Sequence, residues 1–431
     1  MANTIKAQTR IANKVFYRFK QAGKFLSKTN FKNEDFKASE NVGGAYNYRR
    51  PSKVTTVSTA TDAIGTVPTV GSAPTYSSYT EPTLQLVVAK KFAQRFVISQ
   101  QDMTLALTEE QVLSRQVEQG VITMRRQIEA YAAGVAMAGT GQVIGTPGAP
   151  ATGTTLLENF SKAAALMNNR GLEDDGMRVA LVTEAQSVAM QTYGRTLFNP
   201  TEVISKLFRT GGLGQYSNLN FAHTPLLPGD KVTIASVGSP VIDGAGQSAG
   251  AVWTQTWTPK TKGWTPGAVI PAGTLIKLTN GSTDINWVVP DTFVDTGTPA
   301  TFRVVSTVTA DGSGNATLTL TEPLIGPLTG AGASTNGYQN VTALPVDGAV
   351  ITVLNNVATH SPALVFDSNA VLGVSPEIYV PPSIKSKTER IDGISVTFIE
   401  SADPFNFAPI WEVQAMVGFV DGLPEGVVTV C

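Results

Sequence analysis

The residue types that do chemistry are sparse in this chain and are nowhere gathered at the spacing chemistry needs. Gly246-Gln247-Ser248-Ala249-Gly250 matches the G-x-S-x-G pattern of a serine nucleophile, which requires a strand before the serine and a helix after it. Here it sits in an Asp-Gly-Ala-Gly loop of a strand-rich region, so a serine hydrolase reading rests on Ser248 alone. Gly139-Thr140-Gly141 with Gly145 resembles a dinucleotide loop, but it follows a helical pattern rather than a strand and reads as a C-cap and turn. Asp311, Ser313 and Asn315 alternate like calcium ligands, yet no bidentate glutamate closes the set, and a turn explains them better. Glu173-Asp174-Asp175 reads as a solvated acidic turn. His223 and His360 lack a nearby cysteine or paired carboxylate motif, and Cys431 is the single cysteine, which excludes a disulfide framework and a thiolate cluster. The expectation is no catalytic, cofactor-binding or metal-binding residue, no cofactor and no enzyme activity.

Charge is placed with more pattern. Lys6, Arg10, Lys14 and Arg18, then Lys20, Lys24, Lys28 and Lys32, recur every four residues with no acid among residues 1–32. That spacing lines each set along one side of a helix, and Ile11, Val15 and Phe19 form a parallel apolar row, so an amphipathic arm is expected. A solvated basic face and a partner-docking or phosphate-facing surface both fit it. Gly43 to Arg50 reads as a strand stopped by Pro51, and Leu84–Ala89 as another. Between them Lys53 to Thr80 is nearly all Thr, Ser, Val, Gly, Ala and Pro, with Lys53 its only base and Asp62 its only acid. It reads as an extended two-stranded excursion, and a loop this long is usually functional. The candidate assembly residues are Lys6, Arg10, Lys14, Arg18, Lys20, Lys24, Arg50, Lys53 and Asp62.

These segments need a frame, and the strongest element is a helix predicted from Thr108 to about Ala138. Thr108 is the N-cap, Gln111 completes a capping box, and Leu113, Val117, Val121, Met124, Ile128, Tyr131 and Val135 form its stripe. Leu156 to Met167 marks a second helix, Val179–Val182 a buried strand, Glu184–Gln191 a helix and Pro200 to Phe208 another. From about Pro225 helical patterns vanish, and Trp253, Trp257, Trp264 and Trp287 all lie in the stretch that follows. Phe302–Ala310 and Ala316–Thr321, joined by Asp311–Asn315, read as a hairpin in a β-sandwich or small barrel. Ala363–Phe366, Ile394–Ile399 and Val413–Val420 then resume the earlier body, so the β unit is an insertion.

Composition agrees with an α+β protein of several domains. The 431 residues carry net charge −1, 15% charged residues, 40 glycines and 25 prolines, so overall charge gives no case for nucleic-acid or membrane attraction. Met1 to Arg18 has no apolar core of a secretory signal, and no run is long enough to span a bilayer.

The order of these segments resembles a tailed-phage major capsid protein, and more narrowly the coat proteins of short-tailed Salmonella phages. The matching stretches are Gly44–Pro51, the helix from Thr108, Leu219-Asn220-Phe221, Ala272-Gly273-Thr274, Phe302–Thr321, Ser361–Asp367, Gly393-Ile394-Ser395-Val396 and Gly418 to Gly422. The resemblance implies a Hong Kong-type capsid fold with an inserted β-barrel. It divides the chain into an N-terminal arm and first strand (1–50), an extended loop (51–83), a peripheral domain with spine helix 108–138 (84–155), a first axial part (156–225), the inserted barrel (226–346) and returning axial and peripheral strands (347–431). Its partners would be itself in hexamers and pentamers, a separate scaffolding protein, a portal protein and packaged double-stranded DNA, with no membrane. The virion would be its location, after assembly in the bacterial cytoplasm. The extended loop has no lysine beyond Lys53, so no covalent cross-link through it is expected. A nanocompartment shell protein and a tail or surface-binding β protein are the alternatives.

Overall fold

The structure, a computed structural model, describes residues 12–20, 25–38, 45–49, 83–97, 109–149, 152–174, 176–197, 215–248, 256–290, 292–327, 339–357, 361–402 and 409–431. Its helices are α1 (12–20), α2 (Asn33–Ala38), α3 (Glu109–Gly139), α4 (Gly153–Asn169) and α5 (Glu184–Leu197). The predicted spine is thus α3, one residue longer at its C-terminal end. Thr108, all of the expected extended loop 51–83 except Thr83, and the expected helix from Pro200 to Phe208 lie outside the described residues.

α3 lies on a six-stranded sheet built from distant parts of the chain. Pro409–Asp421 is its long central strand, flanked by Lys90–Val97 on one side and Ile394–Ala402 on the other, all antiparallel. Lys385–Ile391 continues from Ile394–Ala402 and forms the outer edge. The last residues of the central strand pair with Val371–Val374, which pairs in turn with Asn30–Phe31. Val121, Met124, Ile128, Ala132 and Ala136 of the helix share one core with Val396, Phe398, Trp411, Val413, Ala415 and Val417. The helix stripe and the alternation of the strands meet because both present an apolar face at their own period.

A second six-stranded sheet runs in the order Val143–Ile144, Val427–Val430, Ala363–Asp367, Arg178–Val182, Leu219–His223 and Gln215–Tyr216. Every residue of Arg178–Val182 is buried. Ala180 and Val182 turn toward the core shared with α4, whereas Val179 and Leu181 turn toward the core under α3. A continuous apolar run covered on both faces is what such a central strand requires. Phe160 of α4 packs edge-on against Phe221, with ring centroids 5.0 Å apart.

Between these returning strands the chain builds a barrel. Leu275–Asn280 pairs with Val350–Val353, which meets Gly238–Ile242, then Lys260–Trp264, then Ala316–Thr317. Leu320 bridges Trp257 on one side and Val304 on the other, and Thr301–Arg303 pairs back onto Leu275–Lys277, which closes the circuit. Trp257, Trp287 and Phe302 fill the interior with Leu318 and Leu320.

The expected hairpin survives at its open end, where Val305 N–H donates to Thr319 at 2.8 Å and Thr321 N–H to Arg303 at 2.9 Å, and at its turn, where Asp311 N–H donates to Asn315 at 2.9 Å. Val308–Thr309 instead leaves to pair with Val269–Ile270, and Ala316–Thr317 with Lys260–Thr261. Barrel closure, a long-range constraint, outweighs the local pairing. The same constraint carries the barrel to Val353, beyond the boundary at 346 drawn from composition, because Val350–Val353 bonds to both neighbouring barrel strands.

The second basic set, Lys20, Lys24, Lys28 and Lys32, departs from the expected row along one side of a helix. Lys28 sits in the short 3-10 turn Leu26–Lys28, and Lys32 follows the strand Asn30–Phe31. Burial of Phe25 and Leu26 turns the chain there, so the two lysines do not continue the helical row.

Candidate assembly interface

Helix α1 buries Ala12, Val15, Phe16 and Phe19 in the core beneath α3. Val15 and Phe19 belong to the predicted apolar row, Phe16 joins them, and Ile11 lies outside the described residues. The opposite face shows Lys14, Tyr17 and Lys20 to solvent, while Arg18 is 3.5 Å from Glu118 of α3. Of the other candidate assembly residues, Lys6, Arg10, Lys24, Arg50, Lys53 and Asp62 lie outside the described residues.

The arm is anchored by charges that the stripe reading of α3 passed over. Arg125 is fully buried, with Nη2 3.0 Å from Asp392 and Nε 3.6 Å from Glu129. Its guanidinium lies 4.8 Å above the Phe19 ring. Glu129 accepts hydrogen bonds from the backbone N–H of Phe25 at 3.1 Å and of Leu26 at 3.4 Å. Asp392 and Gly393 both have positive φ and make a two-residue turn between Lys385–Ile391 and Ile394–Ala402, which aims the Asp392 carboxylate at Arg125. The signal was present in sequence: Arg125 and Glu129 are four apart and sit beside Met124 and Ile128 on the apolar side.

The excursion that ends in undescribed residues starts from a well-formed base. Ala45–Arg49 pairs antiparallel with Thr83–Val87 over the whole of both strands. Leu86 is buried with Leu372 and Val374, and Tyr46 and Tyr48 pack beside them. Burial pushes the Tyr46 hydroxyl above its usual range, helped by the nearby Asp35 charge.

Two buried arginine forks join the barrel to the body. Arg303 binds Asp230 through Nη1–Oδ1 at 2.6 Å and Nη2–Oδ2 at 2.9 Å, and its Nε donates to the Thr140 carbonyl just past α3 at 2.9 Å. Asn355 donates to the same Asp230 oxygen at 3.0 Å. Arg170, at the end of α4, binds Glu322 through both guanidinium ends at 3.3 and 2.7 Å and lies 4.1 Å over the Trp287 ring. Burial works against the Arg170 charge, but Glu322 outweighs it and holds the guanidinium above its ordinary value. Nothing in local spacing marks these pairs, whose members lie 73 and 152 residues apart.

The chemistry-bearing motifs resolve into packing. Ser248 donates to the Leu324 carbonyl at 3.1 Å, six residues past the strand Gly238–Ile242, and the residues directly after it lie outside the described residues. Gln247 ties that segment down by donating to Asp243 at 2.6 Å and accepting from Lys260 N–H at 2.7 Å. Asp311 accepts from the N–H groups of Asn315 and Ser313, each at 2.8 Å, and these bonds hold its carboxyl below the usual range. Burial raises the Cys431 thiol to about 12, with the Asp230 charge adding to it. The side chain of His223 and all of His360 lie outside what is described. Among the described residues no group of His, Cys, Asp and Glu is arranged to hold a metal, and no helix is long and apolar enough to cross a membrane.

Comparison with known proteins bears on this architecture. The family model described as phage capsid protein matches residues 82–281, from the base of the excursion through α3, α4 and α5 into the barrel. Among solved structures the chain is similar to one from Mycobacterium phage Che8, at 10% identity and TM-score 0.47, over 94% of this chain and 90% of that one. It is similar to the capsid of Cyanophage P-SCSP1u at 12% identity and TM-score 0.46, over 95% and 88%. It is also similar to a virus-like particle from Pyrococcus furiosus at 6% identity and TM-score 0.40, over 98% of each. No curated protein matches. Residues 82–281 of this chain are thus similar to the phage capsid protein family.

Proposed function

We propose that this subunit builds the icosahedral capsid of a tailed double-stranded DNA bacteriophage, as hexamers and pentamers, and serves no catalytic purpose. The carrying observation is the capsid match through α3, the helix on which the arm, the central sheet and the barrel junction all converge. The buried charges found here support a structural role, since each is engaged in holding one segment to another. The reading includes a Hong Kong-type body with the barrel inserted, as in coat proteins of short-tailed Salmonella phages, and a separate scaffolding protein and a portal as partners. Exposed Lys14 and Lys20 supply positive charge for an acidic scaffold surface or for packaged DNA. The virion is its location, following assembly in the bacterial cytoplasm.

Sedimentation and negative-stain electron microscopy of the expressed protein, alone and with a candidate scaffolding protein, test this. Closed shells, sheets or capsomers are expected. A strictly monomeric species in both preparations overturns it.

A further inference from the structure

The strand Lys385–Ile391 is the outer edge of the sheet under α3, and among the described residues no strand pairs with its free side. It is seven residues long, and every residue but Ile391 is exposed. An exposed edge of this length offers unpaired N–H and C=O groups to another strand. Lysines usually guard such edges by standing in the way. Here two of the strand's three long cations, Lys387 and Arg390, are drawn back onto their own chain. Lys387 Nζ donates to Asn13 at 2.6 Å and lies 5.4 Å from the Phe16 ring centroid, and Arg390 donates to Glu34 at 2.6 Å. Asn13 is neutral, and among the described residues no carboxylate pairs with Lys387, which presents its charge at the edge.

We infer that this strand pairs antiparallel with the same strand of a second copy, across a two-fold axis through Thr388. The inference rests on the shell-subunit reading and adds to it one contact between subunits. Charge complementarity selects both the occupant and the register. A two-fold axis through a residue keeps the same face of both sheets on one side. Through Lys387 the axis would set Lys387 against its own copy, and through Glu389 it would set Glu389 against its own copy. Through Thr388 it sets Lys387 opposite Glu389 twice, Ser386 opposite Arg390, and threonine opposite threonine. Opposed unlike charges and threonine pairs favour a ladder, and opposed like charges oppose it.

The axis makes a single substitution diagnostic. Directly opposed residues in an antiparallel pair have Cα atoms about 4.5–5.5 Å apart, within the reach of a disulfide. Shells of a Thr388→Cys variant are therefore expected to yield covalent dimers when diamide is added as the two-electron oxidant, and Ser386→Cys shells to yield none. Cys431 is 7% exposed and does not compete. As a second arm, Glu389→Lys sets lysine against lysine and should lose assembly, while the exchanged pair Lys387→Glu with Glu389→Lys should regain it. Thr388→Cys shells that assemble without cross-linking, or an exchanged pair no better than the single variant, overturn the pairing and leave the shell reading intact. A wild-type chain that never assembles removes the shell reading and this inference with it.

Discussion

Arg303 and Asp230 form a two-bonded ion pair with side chains only 3% and 4% exposed, and through it the barrel grips the carbonyl of Thr140 at the end of the spine helix. A fork this dry is stabilising only while it is complete, because either charge alone would be stranded away from water. Asp230→Ala is expected to lower unfolding stability by about 3–5 kcal/mol. Urea unfolding followed by fluorescence of Trp257, Trp264 and Trp287 measures it, and a loss below about 1 kcal/mol would mean that the pair is solvated.

The Arg170–Glu322 fork behaves differently under paired replacement. Glu322→Leu removes the carboxylate that binds both ends of the buried guanidinium over Trp287, whereas Arg170→Met with Glu322→Leu removes both charges of the fork. The double variant should therefore be more stable than the single one. A double-mutant cycle by thermal melting reads the coupling, and additive effects would contradict it.

Phe19 couples the arm to the spine, since its ring is fully buried beneath the Arg125 guanidinium. Truncating a buried phenylalanine costs about 3–5 kcal/mol, and here that cost falls first on docking of the arm. Phe19→Ala should undock the helix so that trypsin cuts after Lys14, Arg18 and Lys20 well before it cuts the body. Equal cleavage rates in variant and wild type would show that the arm is held elsewhere.

Alkaline stability should report the Cys431 thiol. Its value rises from an ordinary 9.0 to about 12 in the folded chain, so the folded state keeps a proton that the unfolded state releases. The stabilisation from this site is whole below pH 9 and is lost as pH climbs through 9 toward about 12. Cys431→Ala should flatten that part of the curve in denaturation from pH 8 to pH 11. An unchanged slope counts against it.

Gly314 closes the Asp311–Asn315 turn at φ +79°, and a Cβ there would press on the Trp264 carbonyl. Gly314→Ala should destabilise the barrel by more than about 1 kcal/mol, from a side chain where φ is positive and from the clash. Calorimetry reads this directly, and a melting temperature within error of wild type would be inconsistent with it.

The sequence by itself determined the elements whose evidence is local. The spine helix is legible because its stripe keeps one period across α3, and Ala45–Arg49 and Thr83–Val87 because strand residues bracket a threonine-rich stretch. The inserted β region is legible in its composition, and the Asp311 turn in its side chains. Tertiary structure alone decided which strands pair. Val308–Thr309 leaves its local partner for Val269–Ile270, and Val350–Val353 joins the barrel, because closing a barrel satisfies more backbone than any one hairpin. It also decided which charges are buried. Arg125 turns inward to Phe19 and Asp392, and Arg303 finds Asp230, because a desolvated charge needs partners that only folding brings within hydrogen-bonding distance.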